Sequence, residues 1–207
     1  MVFDKRIKCL LPVGGRIVDL GCGSGEMLNA VFELFEERIG IDVSKHRLSR
    51  RQVQGWTFIE ADLNSAFPLE NNWANVAIAN QVIEHIVNPR VFVEELYRIL
   101  SPDGVCIVTT PNIRYLKNIG HLLFSGYGPR TAGGNTTDGV WDDGHLHYFT
   151  HRDLRELFAK AGFREINSHA LIDLTDGGMI RHTLDRASSA WPVREFLSGN
   201  ILFTASK

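Results

Sequence analysis

The sequence has little cysteine, little net charge and no long apolar run, and each shortage removes a class of protein. Its three cysteines, Cys9, Cys22 and Cys106, lie far apart with no CxxC pair. That excludes a zinc knuckle and a secreted disulfide framework, and points to a reducing cytosol. Basic side chains number 22 against 24 acidic ones, a formal net charge of -2, so no global positive field exists to hold duplex nucleic acid. The densest basic run, Ser49 to Gln52 with Lys45 and Arg47, reads as a solvated helix face. No window approaches the roughly 18 to 20 consecutive apolar residues that span a bilayer. The N-terminal MVFDKRIKCLLPVGG also lacks the apolar stretch and small-residue cleavage site of a leader. A soluble, cytoplasmic chain is expected. Composition leaves its oligomeric state open.

What is present is an ordinary core and a regular alternation. Hydrophobic residues make up 44% of the 207 positions and charged residues 22%, enough for one packed domain over 1–207 without staples. Apolar runs of strand length alternate with stretches of helical spacing. Strands are expected at 15–20, 38–43, 56–62, 74–80 and 103–111. Between them fall a helix over 25–37, with Leu28, Val31, Phe32 and Phe35 on one stripe, a polar helix from Ser44, and a helix at 89–100 opened by Pro89. Such alternation implies a doubly wound α/β domain with a parallel sheet. In the last hundred residues, 112–128 carry a further helix. The stretch 150–163 is a helix with Thr150 as cap, Asp153 in the capping-box position and Gly162 as stop. Residues 163–172 and 200–206 form two closing strands, the final one antiparallel.

The stretch IVDLGCGSGEML (17–28) places Gly21, Gly23 and Gly25 directly after a strand that contains Asp19. In open α/β sheets ligands lie beyond the carboxyl ends of the strands, and glycines let a ligand approach the backbone. The spacing is tighter than the GxGxxG of a dinucleotide site. An acid so close suits an amine-bearing ligand better than phosphates. Asp42 ends the second strand about 20 residues on, where a carboxylate can accept both hydrogens of a ribose diol. Asp62 follows the third strand, placed for an adenine amino group, with Leu63 beside it. Three acids at adjacent strand ends and no phosphate-binding lysine favour a nucleoside without phosphates, a description S-adenosylmethionine fits. Cys22 is a small residue between glycines.

With IDVS, EADL and NQVIEHI following in order, IVDLGCGSG resembles the class I S-adenosylmethionine-dependent methyltransferases. The closer likeness is to the subgroup of ubiquinone-biosynthesis O-methyltransferases and methyltransferases of saccharide or lipid-linked substrates (type 11 and type 23-like). The likeness runs from about residue 10 to 206. It implies a Rossmann-like seven-stranded sheet of order 3-2-1-4-5-7-6 with the last strand antiparallel. It also implies a donor site in which Gly21, Cys22, Gly23 and Gly25 line the methionine portion, Asp19 lies near its amino group, Asp42 and Val43 meet the ribose, Asp62 and Leu63 the adenine, and Asn80 and Gln81 flank the methionine end. The (D/N)PP(Y/F) motif of protein-, DNA- and ring-nitrogen-modifying branches is absent after strand four, which leaves small-molecule oxygen acceptors in front.

Glu84 and His85 follow the fourth strand, where the sulfonium methyl emerges. His85, or His145 across the pocket, is the candidate base for a hydroxyl acceptor, with Glu84 beside it. His147 and His151 are weaker candidates, and a histidine entering a helix is expected at the surface. Quinone-pathway and small-RNA 2′-O-methyltransferases carry an ExxEH metal set, and Glu84, His85 and His145 occupy the corresponding places, with Gln81 standing where the first acid would be. A divalent metal there would bridge a substrate diol. Without one, Glu84 and His85 are expected to cap the following helix and line the pocket. Residues 112–148 are expected to cover the acceptor pocket. Gly120, Gly126, Gly128, Gly133, Gly134 and Gly139 suit a lid. Tyr115, Phe124, Tyr127, Trp141 and Tyr148 supply rings for an apolar or sugar acceptor, with at least half of them expected in the core instead. Competing functions are metal-assisted RNA ribose 2′-O-methylation and a non-catalytic subunit that keeps the fold.

Overall fold

The computed structural model describes residue 7 and residues 10–44, 55–131, 141–171 and 190–207. The basic run, the helix body after Ser44, Cys9 and the glycines at 133, 134 and 139 lie outside them, as do the side chains of Phe32 and Trp141.

Seven strands form one sheet: β1 Arg16–Leu20, β2 Glu37–Asp42, β3 Thr57–Glu60, β4 Ala74–Asn80, β5 Leu100–Pro111, β6 Arg164–Leu171 and β7 Asn200–Ser206. Their order is β3-β2-β1-β4-β5-β7-β6, as expected. The first five pair in parallel and β7 runs antiparallel to both β5 and β6. β4 is buried almost throughout, as its unbroken apolar run requires for a strand covered on both faces. Side chains alternate across the sheet to feed two cores. One holds Phe92, Leu96, Phe158 and Phe203; the other holds Ile17, Met27, Leu28 and Leu202.

Among the described residues the helices are α1 Glu26–Ala30, α2 Pro89–Ile99, α3 Leu116–Phe124, α4 His151–Lys160 and α5 Trp191–Phe196. The local signals at α2 and α4 hold: Asn88 and Pro89 start α2, and a complete capping box between Thr150 and Asp153 starts α4. The helix expected over 25–37 is cut short. It leaves helical geometry at Val31 (φ -113°, ψ 12°), makes one 3-10 turn and is extended by Phe35. Two backbone amides, of Glu36 and Glu37, donate to the Gly15 carbonyl, so the chain is already bound to the start of β1 where the apolar stripe would have continued as helix. Tertiary pairing overrides the periodicity. No described helix is long and apolar enough to cross a membrane.

Candidate active site

The turn after β1 builds one half of the site. Gly21 and Cys22 donate through their amides to the Ile41 carbonyl (2.7 and 3.1 Å), drawing the glycine turn across the end of β2. Gly21 has φ +71°, and a Cβ there would fall 2.5 Å from Val82 Cγ2, so only glycine fits. Gly23, at φ +52°, has nothing within 4 Å of where its Cβ would stand. Its amide donates to Asp42 Oδ2 (2.9 Å), while Ser44 N donates to the other oxygen, Oδ1 (3.0 Å). Asp42 is thereby fixed beside the turn with lone pairs to spare. Asp19 is buried behind it. Burial, with the charge of Asp42 added, pushes its carboxyl up to about 8. A buried carboxyl of this kind is matched by a cationic group, and the open face at Gly23 is a cradle a side chain would have filled. Both fit the amino acid end of S-adenosylmethionine.

The remaining donor-side residues divide. The Ala61 amide donates to the Asp42 carbonyl, which brings the start of the Ala61–Leu63 segment next to Asp42. Asp62 is exposed and accepts from Asn64 N and Nδ2 through Oδ1, while Leu63 is buried. Val43 is 70% exposed. At the end of β4, Thr109 Oγ1 donates to Asn80 Oδ1 and accepts from Gln81 N and Nε2 (3.2 Å each). Gln81 sits at φ +58° with its amide committed to Thr109. Burial drives the Cys22 thiol pKa upward, so it stays a neutral filler.

The second half lies one strand over. Glu84 and His85 occupy a 3-10 turn, Ile83–His85, rather than capping α2; Asn88 caps that helix, its side chain accepting from Val91 N. Glu84 is fully buried. Thr110 Oγ1 donates to its Oε2 (2.9 Å), and its Oε1 has no partner among the described residues. Burial pushes this carboxyl up to about 7 against those hydrogen bonds. Its carbonyl accepts from Leu146 N (2.8 Å) and His147 N (3.1 Å), which ties the strap 141–147 to the site.

That strap turns through two left-handed residues, Asp142 (φ 40°) and Asp143 (φ 59°), and delivers His145 against His85, ring centroids 4.8 Å apart. His85 Nδ1 faces the Gly144 carbonyl at 3.1 Å; a carbonyl only accepts, so Nδ1 carries the hydrogen. Thr131 N and Oγ1 both donate to Asp142 Oδ2 (2.9 and 2.8 Å), and the same hydroxyl lies 2.7 Å from His145 Nδ1. Having given its only hydrogen to Asp142, Thr131 accepts from His145. Both imidazoles therefore present a bare Nε2. Burial, then the charge of His85, lowers the pKa of His145 against the pull of Asp142 and Asp143.

One ligand atom from each of Glu84, His85 and His145 lies within 4.8 Å of the others. With Glu84 ionised the three offer acceptors alone, which fits a cation or an incoming hydroxyl. Three residues of the set implied by resemblance to metal-dependent relatives are thus brought together. Thr131, Asp142, Gly144 and Thr110 were not foreseen from sequence; DDG at 142–144 is a turn signal, but nothing local shows which side chains it aligns.

Two other expectations change. His151 is 2% exposed rather than superficial: its Nε2 donates to the Arg194 carbonyl (3.0 Å) and its Nδ1 meets Ser168 Oγ, which removes it as a base. Of the candidate pocket rings whose side chains are described, none is in the core; Phe124 and Tyr127 are 88% and 56% exposed, and Tyr115 and Tyr148 are half-buried. Tyr115, Phe124 and Tyr127 sit on or beside α3, no residue of which is buried. His147 lies half-buried in the strap.

A family described as "Methyltransferase domain" matches residues 2–168. A mitochondrial ubiquinone biosynthesis O-methyltransferase from Dictyostelium discoideum is 25% identical over 134 residues, 56% of this chain and 42% of that protein. A trans-aconitate 2-methyltransferase from Rhizobium leguminosarum bv. trifolii is 34% identical over 101 residues, 47% of this chain and 39% of that one. The chain thus spans less than half the length of either curated relative. Among solved structures, an S-adenosylmethionine-dependent methyltransferase from Thermotoga maritima superposes with a TM-score of 0.70 at 19% identity, covering 98% of this chain and 86% of that one.

Proposed function

From the premise that this chain belongs to the methyltransferase-domain family of S-adenosylmethionine-dependent enzymes, we propose that it methylates a hydroxyl oxygen of a small molecule. The acceptor classes are a phenol, a saccharide or a lipid-linked intermediate. One observation carries this reading: Glu84, His85 and His145 converge as proton acceptors one strand from the glycine turn.

Methyl transfer from a sulfonium is an in-line displacement that depends on positioning, worth up to about 7–11 kcal/mol in favourable cases. Gly21, Gly23 and Gly25 hold the methionine portion against the backbone, Asp19 receives its amino group, and Asp42 with Val43, then Asp62 and Leu63, hold the nucleoside. Asn80 and Gln81 border the methyl end. A hydroxyl acceptor must shed a proton as its oxygen bonds the methyl and the sulfur–methyl bond breaks. His85 Nε2, with His145 opposite, takes that proton, leaving a methyl ether, S-adenosylhomocysteine and an imidazolium beside Glu84. Were a divalent ion held by Glu84, His85 and His145 instead, it would engage both Nε2 lone pairs and would lower the hydroxyl pKa in place of the imidazole base. The described residues of the expected lid, 112–131 and 141–148, cover the acceptor.

The test is calorimetric titration with S-adenosylmethionine and S-adenosylhomocysteine, followed by transfer of labelled methyl to a panel of phenols, sugars, polyprenyl-linked intermediates and short RNA. Binding of both nucleosides and labelling of an ether oxygen are expected. No binding of either would falsify the donor assignment, and labelling of RNA alone would replace the small-molecule acceptor with ribose.

A further inference from the structure

We propose that Thr131 and Asp142 lock His145, and the Gly144 carbonyl locks His85, in the Nδ1–H form, and that the resulting pair of Nε2 atoms with Glu84 selects a borderline first-row cation over Mg²⁺. The inference rests on the acceptor site described under Proposed function, takes Glu84, His85 and His145 there as ion ligands, and adds Thr131, Asp142 and Gly144 behind them.

The chain of hydrogen positions follows from valence. Asp142 Oδ2 receives two donors from Thr131, the amide at 2.9 Å and the hydroxyl at 2.8 Å. A threonine hydroxyl has one hydrogen and spare lone pairs, so the 2.7 Å contact with His145 Nδ1 runs from imidazole to hydroxyl. Asp142 Oδ2 itself lies 3.5 Å from His145 Nδ1, close enough to favour the same hydrogen electrostatically. A carboxylate or carbonyl behind the distal nitrogen is the arrangement that orients a metal-binding imidazole and raises its basicity. His145 has the carboxylate, relayed through a hydroxyl; His85 has the carbonyl of Gly144 at 3.1 Å. The strain is local and visible: Asp142 and Asp143 both take positive φ, which turns the strap so that it supplies both partners at once.

Ion preference follows from the donor count. Glu84 supplies one carboxylate, with Oε2 engaged by Thr110 and Oε1 buried without a partner. Gln81 adds no charge; its Nε2 donates to Thr109, so it offers at most a neutral carbonyl oxygen. Two imidazoles and a single carboxylate make a nitrogen-rich set. Mg²⁺ demands near-octahedral oxygen and dehydrates reluctantly, whereas Zn²⁺, Co²⁺ and Fe²⁺ accept imidazole readily. Threonine at 131 and aspartate at 142 are positioning residues: they touch neither ion nor substrate.

The test uses the chelator-treated full chain. Co²⁺, Zn²⁺ and Mg²⁺ are titrated by calorimetry, with the visible spectrum of the Co²⁺ form and the imidazole nitrogen resonances of the metal-free form as further readouts. One equivalent of Co²⁺ should bind with the spectrum of a four- or five-coordinate site, and a thousandfold excess of Mg²⁺ should leave it in place. His145 should resonate as the Nδ1–H tautomer. Thr131→Val should weaken Co²⁺ about 10–100-fold and mix the His145 tautomers, Thr131→Ser should restore both, and S-adenosylmethionine affinity should stay within about twofold throughout. The inference is overturned by Mg²⁺ competing on equal terms, by no metal binding at all, or by a His145 tautomer of the other kind in the unsubstituted protein, which needs no variant to fold. Loss of nucleoside binding with Co²⁺ binding intact would remove the proposed function and leave this inference standing.

Discussion

His145 and His151 are six residues apart and both buried, yet their surroundings are complete in one case and open in the other. His151 gives Nε2–H to the Arg194 carbonyl and accepts at Nδ1 from Ser168, so both ring nitrogens are used; Glu195, Arg114 and Asn112 close the cluster around it. Around His145 the partners behind the ring are equally definite, but one ligand atom each of His145, His85 and Glu84 lies within 4.8 Å of the others, and Glu84 Oε1 has no partner among the described residues. Buried polar groups are ordinarily satisfied. A closed inventory marks a histidine that holds β6 to the α4 and α5 side; an open one marks a histidine waiting for a ligand. Burial alone does not separate the two roles.

Substitution should split them most sharply in catalysis. Replacing His85 and His145 together by alanine is expected to lower kcat about 10²–10⁴-fold while the calorimetric affinity for S-adenosylmethionine holds within about twofold. The next largest effect belongs to the closed cluster. His151→Ala leaves Ser168 and the Arg194 carbonyl unpaired in the interior, and denaturant titration should show a loss of about 2–3 kcal/mol, with kcat per folded molecule unchanged.

The pH dependence of stability should have opposite signs at the two places. Burial lowers His151 from 6.5 to about 4, so between those values the unfolded chain takes up a proton the folded one refuses, and stability falls as pH falls. Glu84 is raised from 4.5 to about 7, so the folded chain keeps a proton the unfolded one has lost, and stability falls as pH rises through that window. Melting temperatures from pH 4 to 8 should flatten on the acid limb in His151→Gln and toward neutrality in Glu84→Gln. The smallest effect is expected just after the second histidine: Asp153→Ala removes half of the capping box of α4, costs about 1 kcal/mol and alters neither site.

What the sequence disclosed follows the range of the forces involved. The donor half is written in backbone terms, a strand end followed by glycines and an acid at each neighbouring strand, and Asp19, Gly21, Gly23 and Asp42 meet as their positions imply. The capping box at Thr150 and Asp153 is equally local. The three convergent residues of the acceptor half were reached through resemblance. Their supports were not, because Thr131 and Asp142 gain their meaning only from a strap that brings them to His145. The same non-local logic shortened the helix after Gly25, where bonding to Gly15 overrode an apolar stripe, and buried His151, whose partners are 17 and 43 positions away.

The two amides of Leu146 and His147 on the single carbonyl of Glu84 have a consequence for changing what this protein accepts. They make strap and turn one frame, so alterations of its backbone would disturb the reacting groups along with the pocket. Between those anchors the Leu146 side chain is 55% exposed. It is a position where side-chain variety can be explored while the frame stays put, together with the wholly unburied α3. A search for new acceptor preference should therefore randomise Leu146 and Leu116 to Phe124, and leave 142–145 alone.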